Sequence, residues 1–258
     1  MKFRIYRALA RGVVLESIRR KDLWVVAILG FLIIFSAGAL GFFGFQGLQA
    51  FAKDLSATVL GMFSTIIAIL TTSRLLPEEI KNRTLYPLIA RPISRFDLLV
   101  GKFLGAVAVT WISFMILAGL TVIALTFFKV EFEPIMAQYL LCKMLGLTVV
   151  CAVSLALSTF LTPAAAATMS FILAFGSSMI LRAFVMAYEH SSSGLQTVFQ
   201  GLNWVIPQYG LFDLGSRAAN MHWGPAPAWV VGFLFAYALI YSAAMLLLSW
   251  TKFRNQAV

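Results

Sequence analysis

Residues 74–102 read RLLPEEIKNRTLYPLIARPISRFDLLVGK, a charged island between two long apolar runs. The island holds six basic residues (Arg74, Lys81, Arg83, Arg91, Arg95, Lys102) and three acids (Glu78, Glu79, Asp97). Pro77 can open a short helix, because a proline in the first turn forfeits no hydrogen bond. Glu78 and Glu79 would then stand where the helix dipole favours anions, with Lys81 and Arg83 toward the other end. Pro87 and Pro92 keep such a helix from running into the next apolar run. The expectation is a short, rigid, two-signed element at the mouth of a membrane bundle. On charge alone it reads as a solvated loop that sets orientation.

The rest of the chain supplies the bundle. Of its 258 residues 61% are hydrophobic and 12% charged, with a mean hydropathy of +0.91. A soluble domain carries about twice that share of charge. The formal net charge is +10, and its placement decides what it means. Seven basic residues precede Trp24, six lie in the island, and Lys252 and Arg254 close the chain, so fifteen of the twenty fall in three places. That is the distribution of orientation signals and of attraction to anionic headgroups, not of a nucleic-acid groove.

Residues 1–22 predict an amphipathic interfacial helix. Arg4, Arg7 and Arg11 fall within one narrow arc, opposite Ile5, Leu9 and Val13, as in a helix lying in the headgroup plane. An ordinary basic cytoplasmic tail is the competing reading. Glu16, among Arg19, Arg20 and Lys21, would pair locally or with another subunit. Residues 23–45 are uncharged and, at about 1.5 Å per residue, long enough to cross a bilayer core. Ala37-Gly38-Ala39 mimics a signal-peptidase site, but cleavage would place the two ends of the mature chain on opposite sides. The basic ends and the basic island argue for one side, so residues 23–45 are read as a retained first span.

Residues 46–54 form a short outer connection and 55–73 a second span, dotted with Ser56, Thr58, Ser64, Thr65, Thr71 and Thr72. Hydroxyls in a span mostly bond back to their own backbone. This mildly polar span is nevertheless the candidate to line a pathway. A third span covers 98–128, too long for a straight crossing, with Lys102 expected to snorkel to the interface. Gly101 and Gly105 form a small-xxx-small pair able to seat a neighbouring helix closely.

The fourth span, 135–161, contains Lys143, where an unpaired ammonium costs about 2.5–3.5 kcal/mol at full depth. Three readings stand open: outward snorkelling, a pair with an outer-end acid such as Glu189, or contact with a substrate headgroup. The fifth span, 163–187, carries Arg182 near its outer end as a second candidate outer-end or pathway charge. Within the long segment 188–228, residues 195–212 are apolar but too short and interrupted to span, and predict a re-entrant or interfacial cap. The last span, 229–250, has a tryptophan at each interface. Cys142 and Cys151 fall on opposite faces of one helix and read as buried free thiols. His190 and His222 stand too far apart in sequence to suggest a metal site.

The wording of the island points further. Glu78-Glu79, Asn82-Arg83-Thr84-Leu85, Ala90-Arg91-Pro92-Ile93-Ser94-Arg95 and Gly101-Lys102 together resemble the permease subunits of ABC-2 type transporters. Among them the wording most resembles the branch that includes permeases linked to multicopper-enzyme maturation and gliding motility. The resemblance implies that residues 74–97 form a cytoplasmic coupling loop whose helix docks on a separate, soluble ATP-binding cassette subunit. It assigns ATPase coupling to Glu78, Glu79, Lys81, Arg83, Thr84, Arg91, Pro92 and Arg95. It implies a second permease copy, or a homologous permease, as partner, and ATP bound by the ATPase subunit rather than by this chain.

The chemistry missing from the sequence agrees. No phosphate loop is present: Lys102 follows Gly101, but position 96 is Phe96 where the first glycine would stand. No zinc-hydrolase, nucleophile-elbow or paired-cysteine motif occurs. The spans hold almost no carboxylate for a proton relay. Ten methionines are dispersed without a tight cluster, as packing residues are.

The expected protein is therefore an all-α polytopic membrane protein of six transmembrane helices forming one ABC-2 type transmembrane domain. Both termini would lie in the cytoplasm, in the plasma (inner) membrane of a prokaryote. Its expected role is the permease of an ATP-driven exporter, with lipid around it, no nucleic-acid partner, no cofactor of its own and no catalytic or metal site. An ATP-independent secondary carrier or a membrane assembly factor is the alternative. A carrier would need internal repeats or interrupted helices, and a membrane-embedded enzyme a catalytic set facing a cavity.

Overall fold

A backbone crossing hydrocarbon has to satisfy its own hydrogen bonds, so long uncharged runs become helices. The computed structural model describes residues 2–19, 24, 28, 30–32, 35, 48–81, 94–127, 134–188, 193–215, 217 and 224–254. The long elements are helices throughout: α1 (Lys2–Arg19), α2 (Leu48–Lys81), α3 (Arg95–Phe127), α4 (Pro134–Phe160), α5 (Pro163–Tyr188), α6 (Ser193–Val205) and α7 (Ala228–Arg254). A short 3-10 turn, Tyr209–Phe212, lies between α6 and α7.

Five of these are long and apolar enough to cross a membrane, namely α2, α3, α4, α5 and α7. The protein is thus an all-α polytopic membrane protein. Most of the expected first span, 23–45, lies outside the described residues. Those described within it, such as Trp24, Ile28 and Phe35, are helical, and a Cβ on Gly30 would sit 3.1 Å from Leu117 of α3.

The hub is α4, which packs on α2, α3, α5 and α7. Its middle is buried nearly all round, from Gly146 to Ala156 apart from Thr148. Cys151 faces α2 and α3 in the main core, whereas Cys142 lies in a second cluster against Leu234 and Ala238 of α7. Both thiols are buried and free, on different faces of the helix as their spacing requires. By contrast α5 and α7 are peripheral: 17% of each apolar window is buried, against 61% for α2 and α4. Met179 and Ile240 face outward there, and in this setting such side chains meet lipid or another protein.

Three boundaries differ from expectation. The connection expected at 46–54 is helical from Leu48, because a helix extends past the bilayer core without needing apolar residues, and Lys53 is buried against protein. Pro77 does not open a new helix but lies inside α2, which runs on to Lys81. The missing N–H forfeits one backbone bond near the helix end. Burial of Leu75 and Leu76 and an ion pair from Glu79 to Lys102 hold that last stretch in place. Finally α3 starts at Arg95, not 98, because Ser94 and Asp97 cap it. The other spans shift by one residue at most of their ends, with α7 continuing past 250 to Arg254.

The first helix is amphipathic as expected, but its apolar face is turned onto protein. Leu9 and Val13 are buried while Arg4, Arg7 and Arg11 are exposed. An added Cβ on Gly101 would lie 2.6 Å from Leu9, and one on Gly105 2.7 Å from Val13 and 3.1 Å from the Ala10 backbone. The glycine pair is thus a groove that seats α1. The contacts advance together, Leu9 on Gly101 and then Val13 on Gly105, so the two helices run side by side in the same direction.

Candidate functional site

Two constellations stand at opposite ends of the bundle. At one end the foot of α3 is tied to three other helices. Ser94 Oγ donates to Asp97 Oδ2 at 2.6 Å and accepts from the Asp97 backbone N–H at 3.0 Å, a reciprocal N-terminal cap. The Tyr6 hydroxyl of α1 donates to the other carboxylate oxygen of Asp97. That charged acceptor, with some desolvation, raises the Tyr6 pKa above its ordinary value, so the phenol stays a donor.

Lys102 pairs with Glu79 at the end of α2, and both side chains are largely buried. The expectation that Lys102 snorkels outward is therefore overturned: an acid within reach offsets the ammonium's desolvation without a path to water. Arg95 Nη1 donates to the carbonyls of Arg254 at 3.1 Å and Phe253 at 3.3 Å. It satisfies last-turn carbonyls of α7 and places its cation at the negative end of that dipole.

The residues assigned to ATPase coupling are distributed unevenly around this knot. Glu79 and Arg95 are engaged inside the chain, and Glu78 is half-buried beside them. The side chain of Lys81 is not among those described, and Arg83, Thr84, Arg91 and Pro92 lie outside the described residues. Residues 82–93 connect the end of α2 to the start of α3 in the sequence, and both of those helix ends belong to this knot.

At the other end, α2, α4, α5 and the segment after α6 line an open cavity of about 490 Å³. From α2 it takes Asp54, Thr58, Gly61, Met62 and Thr65, one stripe at helical spacing. The mildly polar second span does line a cavity. Its hydroxyls divide: Ser64 and Thr65 bond back to the carbonyls of Leu60 and Gly61, while Thr58 is exposed toward the cavity. The facing wall is Lys143, Gly146, Leu147 and Val150 of α4, with Phe175 and Ser177 from α5.

Lys143 is the charge on that wall. Its Nζ lies 3.1 Å from Asp213 Oδ2. Of its three open readings the acid pair is the one realised, though with Asp213; Glu189 lies outside the described residues. Two glycines make the pair possible. A Cβ on Gly61 would meet Lys143 Nζ at 2.8 Å, and one on Gly146 would meet Phe212 Cβ at 2.8 Å. Asp213 Oδ1 accepts from the Gly215 backbone N–H at 3.0 Å, so both its oxygens are engaged.

The expected cap at 195–212 appears as α6 followed by the 3-10 turn, anchored on its neighbours. Tyr241 Oη donates to the Val205 carbonyl at 2.7 Å, the Gln208 N–H donates to Tyr237 Oη at 3.2 Å, and Phe212 is buried against Gly146. Burial, with Tyr241 and Tyr237 close by, keeps the Tyr209 pKa well above its ordinary value, so it lines the cavity as a neutral ring and hydroxyl. Arg182 is exposed on α5 and is not among the described residues lining the cavity.

Sequence reading missed Asp213, Asp54 and the Tyr6–Asp97 bond. Asp213 sits seventy residues from Lys143, and nothing in its neighbourhood marks it apart from a following glycine two residues on. Asp54 precedes the apolar run, and the helix reaches back past it to Leu48.

Comparison of the chain with curated proteins finds no match. The family described as ABC-2 family transporter protein matches residues 8–258, nearly the whole chain. A helical membrane domain with a charged knot at one end and a cavity at the other, carrying that match, belongs to the ABC-2 family of transporters as a permease component.

Proposed function

We propose that this chain is the permease half of an ATP-driven exporter in the plasma (inner) membrane of a prokaryote. Two copies, or one copy and a homologous permease, form the pathway. Separate soluble ATP-binding cassette subunits dock on the end that bears residues 82–93, and those subunits bind the ATP. The observation that carries this reading is the knot around α3. Asp97, Lys102 and Arg95 join α3 to α1, α2 and α7. A push on the segment between α2 and α3 is thereby shared among four helices and reaches the far cavity as rigid-body movement, since packed helices shift as units.

The start of α1, the α2–α3 connection and the end of α7 all stand at this one end. That supports both termini lying with the docking segment in the cytoplasm. Within the coupling set the roles divide: Glu79 and Arg95 act as braces that transmit. Glu78, Lys81, Arg83, Thr84, Arg91 and Pro92 supply the docking face, where charge pairs set register and specificity.

The test is co-purification from native membranes followed by an ATPase assay in lipid. The chain alone should bind no ATP and should bring down a soluble ATPase. Glu78→Lys should weaken that capture while leaving insertion normal. Cargo movement driven by an ion gradient, with no ATPase captured, would establish the secondary carrier instead. Normal assembly of a membrane complex with no cargo movement would establish the assembly factor.

A further inference from the structure

The cavity between α2, α4, α5 and the cap is large enough for a ligand, since small-molecule sites run about 300–1,000 Å³. What it would hold follows from which of its charges are already committed. Its described lining carries three charged side chains: Lys143, Asp213 and Asp54. Lys143 and Asp213 neutralise each other at 3.1 Å, and the second oxygen of Asp213 is occupied by the Gly215 N–H. Asp54 forms no hydrogen bond or ion pair among the described residues, and it is exposed at the rim. The uncommitted charge of the site is therefore negative.

The rest of the lining is graded. From Asp54 the α2 stripe runs through Thr58 to Met62 and Thr65, about 16 Å along the helix at 1.5 Å per residue. Leu147 and Val150, both buried, form the floor, and the Phe175 and Tyr209 rings stand in the walls. Aromatic faces attract cations and also accept apolar chains. An anionic ligand would have to displace Asp213 from Lys143 and then face Asp54. A cation meets a free carboxylate at the rim and pays no such exchange.

We infer that this cavity is a binding site for a cationic amphiphile, its charged head at Asp54 and its apolar tail running to Leu147 and Val150. This deepens the exporter reading by naming a cargo class, and as a cargo site it rests on that reading. Low-dielectric walls around one uncommitted charge focus its field at the rim, so selection by sign is made where ligand enters. The Lys143–Asp213 pair ties the segment after α6 to α4 and removes the cation that would otherwise recruit anions.

The test is equilibrium binding to the full chain in nanodiscs of zwitterionic lipid, without nucleotide. The probes are a dodecyl rhodamine cation, a dodecyl fluorescein anion and a rhodamine cation without the alkyl chain. The dodecyl cation should bind saturably and the other two should not. Asp54→Asn should weaken the dodecyl cation by about fivefold, the scale of one exposed charge pair. Asp54→Glu should restore it, and Glu16→Gln, which removes an equal charge from α1, should leave it unchanged.

Met62→Trp, which fills the cavity, should abolish saturable binding; thermal unfolding checks that each variant is folded. Binding of the anion as tight as that of the cation overturns the inference, as does undiminished cation binding by folded Asp54→Asn. Equal binding of the short cation overturns the amphiphile part. Transport with the ATPase subunits is measured separately. Saturable binding with no ATP-driven movement of any cargo sinks the exporter reading and leaves the site standing, and failed binding with ATP-driven transport of another cargo does the reverse.

Discussion

Lys143 of α4 and Asp213 of the segment after α6 form an ion pair whose partners differ in exposure, 15% for the lysine side chain and 52% for the aspartate. The asymmetry sets the outcome of breaking it. Asp213→Asn strands an ammonium against the Gly61 backbone, whereas Lys143→Met leaves a carboxylate that water can reach. We expect Asp213→Asn to destabilise the folded chain more than Lys143→Met, and the double variant to recover part of the loss. Because the acid is half-exposed, the coupling energy should be about 1 kcal/mol or less. Unfolding in mild detergent across the four variants reads it directly, and additive effects would show that the pair contributes nothing.

Glu79 and Lys102 make the opposite case, because both are largely buried. Breaking a buried pair by removing one partner costs about 3–5 kcal/mol. Glu79→Lys should therefore lower stability sharply, and Glu79→Lys with Lys102→Glu should restore much of it. Glu78→Lys should weaken ATPase capture. If Glu79→Lys proves stable and only ATPase capture is lost, Glu79 faces the partner and the brace assignment fails.

The groove that seats α1 leaves no room for a side chain. Gly105→Leu should displace α1 from α3, destabilising by about 1–3 kcal/mol as overpacking does. It should also speed tryptic cleavage among Arg19, Arg20 and Lys21. Gly119→Leu, at a position with open space around it, is the matched control and should alter neither.

The position of the two ends relative to the membrane is measurable with reporters. Fusions after Val258 and within residues 81–90 should report the same, cytoplasmic side, and a fusion near Ser192 the opposite side. A reporter after Val258 that faces away from the cytoplasm would exclude the six-span arrangement with both termini in the cytoplasm.

Helical class and five of the expected spans were legible because they depend only on the length and polarity of runs, which the bilayer imposes. Element ends were less legible. Lys53 and Asp54 looked like a loop although a helix does not end where its apolar run does. Pro77 looked like a start because the contacts that carry α2 past it, to Lys102 and through Leu75 and Leu76, come from elsewhere in the fold. The paired glycines 101 and 105 announced a close contact but not its partner, which begins some ninety residues earlier. At the cavity, Lys143 was visible as a cost without its remedy. Asp213 is an ordinary aspartate until folding carries it to α4.

The seating of α1 in the α3 groove also sets an order of events during synthesis. Leu9 is made long before Gly101, and at about 5–20 residues per second the interval is several seconds. Throughout it, Leu9 and Val13 have no groove to enter. The bilayer surface is the available host for an amphipathic helix with three arginines on its polar side. The knot around Asp97 can close only after α3 has been made, so α1 has to wait for its groove.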